Sequence, residues 1–243
     1  MIHWKIGCSG YHYAEWKGVF YPVDLPKKDW FEFYCRHFIS IELNVTFYKF
    51  PRVESLTQWY KRSPENFQFG VKAPRLITHF KKFKDTQRML ADVYNATRQG
   101  LRDKLGPILF QFPSTFTFHD DSLDRILNVI DKSFTNVMEF RHASWWNEKV
   151  FNAFAENNIT FCGMSHPGLP DDVVRTSSTI YYRFHGVPHL YISAYETEKL
   201  EQVAADINKE DGVQDAFVFF NNTADVAAVQ NAKQFQEICE LVH

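Results

Sequence analysis

The chain has 243 residues, of which 45% are hydrophobic, and it carries a formal net charge of −2 at pH 7. This length matches the roughly 250 residues of a single eight-stranded α/β barrel, and it allows a core that needs no disulfide or metal. The small net charge, without a long basic run, gives no global support for binding nucleic acid. The sequence also lacks an apolar run of about 18 residues, so no membrane span is expected.

The four cysteines, Cys8, Cys35, Cys162 and Cys239, are far apart, and no CxxC pair occurs. This spacing indicates neither a zinc ribbon nor a thioredoxin-type redox site. Residues 1–5 lack the basic and apolar segments of a signal peptide. We therefore expect a cytoplasmic protein with reduced thiols.

Short β-rich runs alternate along the chain with segments of helical periodicity. Strands are predicted at 2–8, 39–44, 67–72, 107–112, 136–141, 159–164, 180–185 and 215–220. Helices are predicted at 29–38, 53–62, 85–104, 121–132, 147–157, 196–209 and 223–241. This alternation predicts a parallel sheet with helices outside it.

A closed barrel is favoured over an open doubly wound sheet. No glycine-rich phosphate-binding motif follows the first strand, as an open nucleotide-binding sheet would require. We predict an α/β fold, a single TIM-type (β/α)8 barrel that forms one domain over residues 1–243.

Large polar side chains recur at the carboxyl ends of the predicted strands, which form the mouth of such a barrel and carry its active site. Side chains alternate along a strand, so Arg183 and His185 share a face. The predicted mouth residues are Tyr11, Glu42, Asn44, Lys72, Gln111, Glu139, Arg141, Trp145, Arg183, His185, Asn221 and Asn222. The alternative is a structural plug of salt bridges, namely Glu42–Lys72 and Glu139–Arg141. Since buried ionisable groups are costly unless they pair, their convergence from six strands favours a ligand site.

Positive charge is in excess among the ionisable mouth residues, which are Glu42, Glu139, Lys72, Arg141 and Arg183. A local excess of positive charge in a protein with a slightly negative net charge indicates an anionic ligand, either a carboxylate or a phosphate. The same cations oppose a metal site, and no cofactor motif occurs, so we expect neither a metal nor a cofactor.

These features predict an enzyme of the hydrolase or lyase type that acts on a small anionic substrate by acid/base chemistry. Lys72, Glu139 and His185 are its predicted catalytic residues, and the other mouth residues are predicted to bind the substrate. Two further reactions stay open: covalent catalysis by Lys72, and glycoside hydrolysis by a pair of carboxyl groups.

A binding module without catalysis is the alternative from a different class. Lys81, Lys82 and Lys84 form a basic loop after the third predicted strand. We interpret this loop as a solvated helix start, and the alternative is that it contacts a phosphate backbone. In that case the aromatic-rich mouth binds a nucleic acid or another ligand.

Seven motifs carry a resemblance to a known family. In order they are GCSGYHYAEWKGVFYP at 7–22, ELNVTFY at 42–48, FGVKAPRLITH at 69–79, LGPILFQFP at 105–113, EFRHASWW at 139–146, YYRFHG at 181–186 and FFNNT at 219–223. The chain resembles the YecE-like family, the domain of unknown function numbered seventy-two. The resemblance implies a TIM-type barrel of this size and no established reaction. The sequence departs from the family pattern at Cys8, Tyr11 and His166, so no catalytic role is assigned to the sixth strand.

Overall fold

Eight strands alternate with helices in the computed structural model, which describes residues 1–241. The strands are β1 (His3–Cys8), β2 (Ser40–Leu43), β3 (Gln68–Lys72), β4 (Leu105–Phe112), β5 (Asn136–Phe140), β6 (Thr160–Ser165), β7 (Thr179–Phe184) and β8 (Asp215–Phe220). The α-helices are α1 (Trp30–Cys35), α2 (Val45–Tyr48), α3 (Val53–Arg62), α4 (Gln87–Leu101), α5 (Asp120–Val129), α6 (Glu148–Glu156), α7 (Thr197–Asn208) and α8 (Ala227–Leu241).

The strands form one parallel sheet in the order β1-β8-β7-β6-β5-β4-β3-β2. The β1–β8 ladder joins the two ends of the chain, from His3 opposite Asp215 to Cys8 opposite Phe220. Strand β1 also lies beside β2, but no ladder joins these two strands in the described chain. The prediction of a TIM-type barrel is confirmed, and the barrel is closed except for a seam between β1 and β2.

All eight predicted strands are present, with bounds shifted by one or two residues at most. The sequence patterns missed short elements that follow strand ends, among them helix α2 and the π-helical turn Leu76–Phe80. Both are too short to show helical periodicity, and both shape the loops at the mouth.

Apolar side chains fill the barrel interior, as expected for a packed core rather than a pore. This interior group consists of Leu109, Val137, Cys162, Tyr181, Phe217 and Phe219. The four cysteines are buried free thiols in the described chain, and burial raises the pKa of each. None of the helices described within residues 1–241 has the length and apolar character of a membrane span.

The seam between β1 and β2 is bridged by the hydroxyl group of Tyr34, on α1. This hydroxyl accepts a hydrogen bond from the Cys8 N–H at 2.7 Å and donates one to the Ser40 carbonyl at 3.0 Å. It therefore satisfies a buried donor and a buried acceptor that a ladder would otherwise pair. Gly7 makes the close approach feasible, because a Cβ atom at this position would lie 2.1 Å from the Ser40 oxygen.

Replacing Tyr34 by Phe should lower the free energy of unfolding by about 2–4 kcal/mol, because each buried backbone group left unpaired costs about 1–3 kcal/mol. Urea unfolding followed by circular dichroism measures the change. Tyr48→Phe is the control, since Tyr48 is 67% exposed and should tolerate the loss of its hydroxyl. A loss for Tyr34→Phe within the roughly 0.5 kcal/mol of a surface substitution would show that the seam does not depend on this hydroxyl.

Candidate functional site

Two glutamates and two arginines lie together at the barrel mouth. Glu42 comes from β2, Glu139 from β5 and Arg183 from β7, and all three are fully buried. Arg141 directly follows β5, and its side chain is 10% exposed. We call these four residues the charge cluster. Their strands point them inward by simple alternation, because neighbouring side chains on a strand face opposite sides of the sheet.

Arg183 joins the two carboxylates of the charge cluster. Its Nη1 donates to Glu139 Oε2 at 2.5 Å, and its Nη2 donates to Glu42 Oε1 at 2.6 Å. Arg141 donates through Nε to the other oxygen of Glu139. The predicted Glu139–Arg141 pair is therefore present, whereas Glu42 pairs with Arg183 across the barrel.

Glu42 has two further hydrogen-bond donors. The Ser9 hydroxyl, directly after β1, donates to Oε1 at 2.8 Å, and the Tyr181 hydroxyl of β7 donates to Oε2 at 2.6 Å. Each carboxylate oxygen of the charge cluster thus accepts at least one hydrogen bond, as buried carboxylates require. Ser9 also links β1 to β2 inside the barrel, on the opposite side of the seam from Tyr34.

The charges of Arg141 and Arg183 decide the state of Glu139. Burial acts to raise the pKa of this carboxyl group, but the two guanidinium groups outweigh burial and hold the pKa well below its ordinary value. Glu139 is therefore ionised at neutral pH and both of its oxygens accept hydrogen bonds. This geometry disfavours proton donation and favours a positioning role for the predicted catalytic carboxylate.

His185 extends the cluster toward the loops and is fully buried. Its Nε2 lies 3.1 Å from Arg141 Nη2, and its Nδ1 lies 3.0 Å from the side-chain nitrogen of Asn221. Burial lowers the pKa of His185 well below its ordinary value, and the charges of Arg141 and Arg183 lower it further. The imidazole is therefore neutral at pH 7 and adds no positive charge to the mouth.

Lys72 is the last residue of β3 and lies beside the charge cluster, half-buried. Its Nζ is 4.3 Å from the centre of the Phe47 ring, and no hydrogen bond or salt bridge joins it to any residue of 1–241. Burial lowers the pKa of Lys72 to about 8, and the positive charge of Arg183 acts in the same direction. The expected Glu42–Lys72 salt bridge is absent from the described chain, because Arg183 occupies that carboxylate.

Tyr11 and Asn44 line a cleft of about 340 Å³ at the mouth end of the seam, with Glu42 and Trp59 also in its wall. The Asn44 side-chain oxygen is buried and has no hydrogen-bond partner among the described residues.

Trp145 lies in the core and not at the mouth. It is fully buried, stacks on Phe140 with 3.9 Å between ring centres, and donates its indole N–H to the Phe116 carbonyl at 2.7 Å. The 3₁₀ turn Ala143–Trp145 directs the ring back toward the helices. The ring therefore packs in the core, away from the charged side chains of the mouth at which its substrate contact was predicted.

Asn222 and Gln111 are buried and make contacts within the protein. Asn222 donates to the Ser193 carbonyl and to the Asn231 side chain. These hydrogen bonds tie the loop after β8 to the loop after β7 and to helix α8. Gln111 pairs in register with Glu139 and donates to the Phe112 carbonyl. Asn221, the neighbour of Asn222, is half-buried and faces His185.

Sequence reasoning left four mouth residues out of the predicted site: Ser9, His79, His166 and Tyr181. Tyr181 could have been found, since it alternates with Arg183 along β7. Burial and the charge of Lys72 lower the pKa of His79 to about 4, and His166 lies 5.6 Å from His185 between ring centres. Both histidines lie in loops whose path the strand pattern does not specify.

Within residues 1–241, no group of three or more His, Cys, Asp or Glu side chains could hold a metal ion.

A family model described as "Protein of unknown function DUF72" matches residues 5–243. The chain belongs to the DUF72 family. It is 25% identical over 261 residues to the UPF0759 protein YunF of Bacillus subtilis (strain 168), which covers 91% of this chain and 90% of that relative. It is 26% identical over 116 residues to the UPF0759 protein YecE of Escherichia coli (strain K12), which covers 47% of this chain and 42% of that relative.

Solved structures agree with this DUF72 assignment. A DUF72 family protein from Thermotoga maritima MSB8 superposes with a TM-score of 0.87 at 29% identity, covering 98% of this chain and 99% of that one. A DUF72 family protein from Enterococcus faecalis V583 has a TM-score of 0.83 at 19% identity, covering 100% and 97%, and shows the fold alone. The resemblance drawn from the motifs is thus confirmed, and the family description states no reaction.

Removing Arg183 from the DUF72 barrel should be strongly destabilising. We expect Arg183→Met to lower the free energy of unfolding at pH 7 by about 3–5 kcal/mol, because it leaves the buried Glu42 carboxylate without a counter-charge and removes one of the two guanidinium partners of Glu139. Arg62→Met is the control, since the Arg62–Glu32 pair is half exposed and such pairs contribute about 0–1 kcal/mol.

The effect of Arg183→Met on the free energy of unfolding should depend on pH. In the wild type the pKa of Glu139 is depressed, so its contribution is present above the unfolded pKa of about 4.3 and is lost as pH falls through the folded pKa. In Arg183→Met the Glu139 carboxyl group has one guanidinium partner instead of two and takes up a proton more readily, so the difference in unfolding free energy from the wild type should narrow as pH falls below about 5. Urea titrations across this pH range measure the difference in unfolding free energy between Arg183→Met and the wild type. A difference that is constant with pH would contradict the electrostatic account.

Proposed function

We propose that this DUF72 protein is an enzyme that binds a small anionic substrate beside Lys72 and transfers a proton through the Lys72 amine. The observation that carries the proposal is the Lys72 amine, which has no partner within residues 1–241 and lies next to a charge cluster that is neutral as a whole. Because the two carboxylates balance the two guanidinium groups, the ammonium group is the net charge of the mouth. A half-buried cation attracts an anion more strongly than a solvated one does.

Arg141 supports a second contact to the same anion. Glu139 holds its Nε and His185 faces its Nη2, whereas its Nη1 has no hydrogen bond within the described residues. A guanidinium group fixed in this way presents a pre-oriented donor, which lowers the entropic cost of binding. A carboxylate or phosphate between Lys72 and Arg141 would satisfy both cations.

The pKa of about 8 supports the acid/base part of the proposal. General acid/base catalysis is most effective when the pKa of the group lies near the working pH, since both protonation states are then accessible. Glu139, held ionised, and His185, held neutral, then position Arg141 and do not themselves donate protons.

The cleft at the seam supports a place for the body of the substrate. Leu43 and Val71 are paired in the β2–β3 ladder, so Asn44 and Lys72, the next residues, lie side by side at the strand ends. The cleft wall that contains Tyr11 and Asn44 therefore adjoins the amine. Its aromatic wall suits an apolar part of the substrate.

Binding of anions should depend on Lys72 and on pH. We expect sulfate and oxalate, which do not titrate near pH 8, to bind at pH 7 and to bind at least tenfold more weakly to Lys72→Met, since a charge-assisted hydrogen bond contributes about 1.5–3 kcal/mol. Wild-type affinity should fall as pH rises through 8, because only the protonated amine attracts the anion. Isothermal titration calorimetry measures both effects.

Two variants serve as controls for this experiment. In Lys72→Arg the guanidinium group keeps its charge at all these pH values. This variant should still bind the anion, but its affinity should not fall as pH rises through 8. Lys84→Met, at an exposed position, should bind as the wild type does. Equal affinity of Lys72→Met and the wild type would contradict the proposal.

A binding module for single-stranded nucleic acid is the second candidate, and one surface feature favours it. Tyr48 and Phe80 are 67% and 68% exposed at the mouth rim, and the Arg75 guanidinium lies 5.3 Å and 5.7 Å from their ring centres. Exposed aromatic rings beside a cation support base stacking with backbone contact.

For this candidate, Tyr48→Ala and Phe80→Ala should each weaken binding of a fluorescent oligonucleotide by about 1–3 kcal/mol, the contribution of one stacked base. Replacing Lys81, Lys82 and Lys84 together by Ala should flatten the dependence on salt. Val23→Ala, on another exposed apolar side chain, is the control. Absence of binding at low salt would remove this candidate.

A further inference from the structure

Two lysines of this barrel are shielded from water, and their amines have different surroundings. Lys104 is buried, and its Nζ donates to the Tyr60 carbonyl at 2.8 Å, the Ser63 carbonyl at 2.8 Å and the Ser63 hydroxyl at 2.9 Å. These acceptors hold it in the ammonium form. The Lys72 amine has no such acceptor in residues 1–241 and faces the Phe47 ring at 4.3 Å.

The backbone at Lys72 is anchored in place. The Thr46 hydroxyl lies 2.7 Å from the Lys72 carbonyl oxygen and 3.0 Å from the Leu43 carbonyl oxygen. Thr46 and Phe47 both belong to α2, so the helix that covers the amine is also tied to the strand end that carries it. The strand end that carries the amine is thus held in place at the mouth, and the amine is partly buried and has no hydrogen bond within residues 1–241.

We propose that Lys72 Nζ forms an imine with the carbonyl carbon of an aldehyde or 2-oxo acid that carries an anionic group. The inference rests on the proposed function, because the anion held by Arg141 and neighbouring donors would place the carbonyl beside the amine. The occupant is therefore a small carbonyl compound with a carboxylate or phosphate.

The chemical step balances without an oxidant or a reductant. The nitrogen lone pair of the neutral amine forms the C–N bond, and one of the two amine protons passes to the carbonyl oxygen to give a neutral carbinolamine. The carbinolamine then loses that hydroxyl group and the remaining nitrogen proton as water. One amine and one carbonyl give one imine and one water molecule.

The environment supplies the neutral amine that this step needs. Burial and the charge of Arg183 lower the pKa of Lys72 to about 8, so roughly a tenth of the amine is unprotonated at pH 7, against less than about one in a thousand for an ordinary lysine. Desolvated barrel lysines near another cation are activated in this way. The nearby Arg141 donor would also stabilise negative charge that develops on the carbonyl oxygen.

Reductive trapping on the full chain tests the inference. Incubation with glyoxylate and sodium cyanoborohydride, followed by peptide mass spectrometry, should find a carboxymethyl group on Lys72 at least tenfold faster than on exposed Lys84. At a saturating glyoxylate concentration the rate should rise with pH through about 8, because the neutral amine is the nucleophile. Lys104 is the internal control, because burial lowers its pKa as well while its three hydrogen bonds keep the amine occupied, so it should stay unmodified.

A second probe separates the inference from the function it rests on. Acetaldehyde has the carbonyl without the anion and should label Lys72 at least tenfold more slowly than glyoxylate does. If Lys72 is labelled no faster than Lys84, the proposed imine is wrong. If sulfate binding still depends on Lys72 in that case, the proposed anion site remains supported without the imine. Equal labelling by both aldehydes would overturn the requirement for an anionic group.

Discussion

The guanidinium group of Arg183, held between the carboxylates of Glu42 and Glu139, is the interaction on which the mouth of this barrel depends. Strands β2, β5 and β7 are not neighbours in the sheet, so no backbone ladder relates their ends directly. The two hydrogen bonds of Arg183 supply that relation across the interior. A buried ion network of this kind adds little net stability compared with an apolar core, but it specifies which side chain faces which.

The network also determines the protonation states around it. Burial keeps His185 neutral and lowers the pKa of Lys72, and the network's cations act in the same direction; on Glu139 the cations outweigh burial and keep the carboxyl group ionised. The groups that looked like an acid/base array in the sequence therefore have distinct states. The carboxylate and the imidazole hold the geometry, and the amine is the group whose protonation changes near neutral pH. The salt-bridged charge cluster and the Lys72 amine are thus parts of one arrangement, since the cluster contributes to the electrostatic environment of the amine.

The sequence predicted the barrel and much of the mouth, for a simple physical reason. Strand alternation is local, so the shared faces of Glu139 with Arg141, and of Arg183 with His185, follow from the residue order. Partner choice across the barrel depends on strand tilt and stagger, which the pattern does not contain, and this is why Glu42 binds Arg183 and not Lys72. Residues beyond the strand ends were predicted least well, because a single turn of 3₁₀ helix was enough to direct Trp145 into the core.

The seam at Tyr34 has a consequence for how the chain folds. Tyr34 is 26 residues from Cys8 and 6 from Ser40, so the join without a ladder is formed by segments that are near one another in the sequence. The β1–β8 ladder instead brings His3 to Asp215 and must offset the entropy of closing almost the entire chain into a loop. The β1–β8 junction, where the entropic cost of closure is greatest, has a full ladder of backbone hydrogen bonds. The β1–β2 junction, where this cost is least, is joined by one side-chain hydroxyl group. We expect the β1–α1–β2 segment to associate early in folding and the two ends of the chain to meet last.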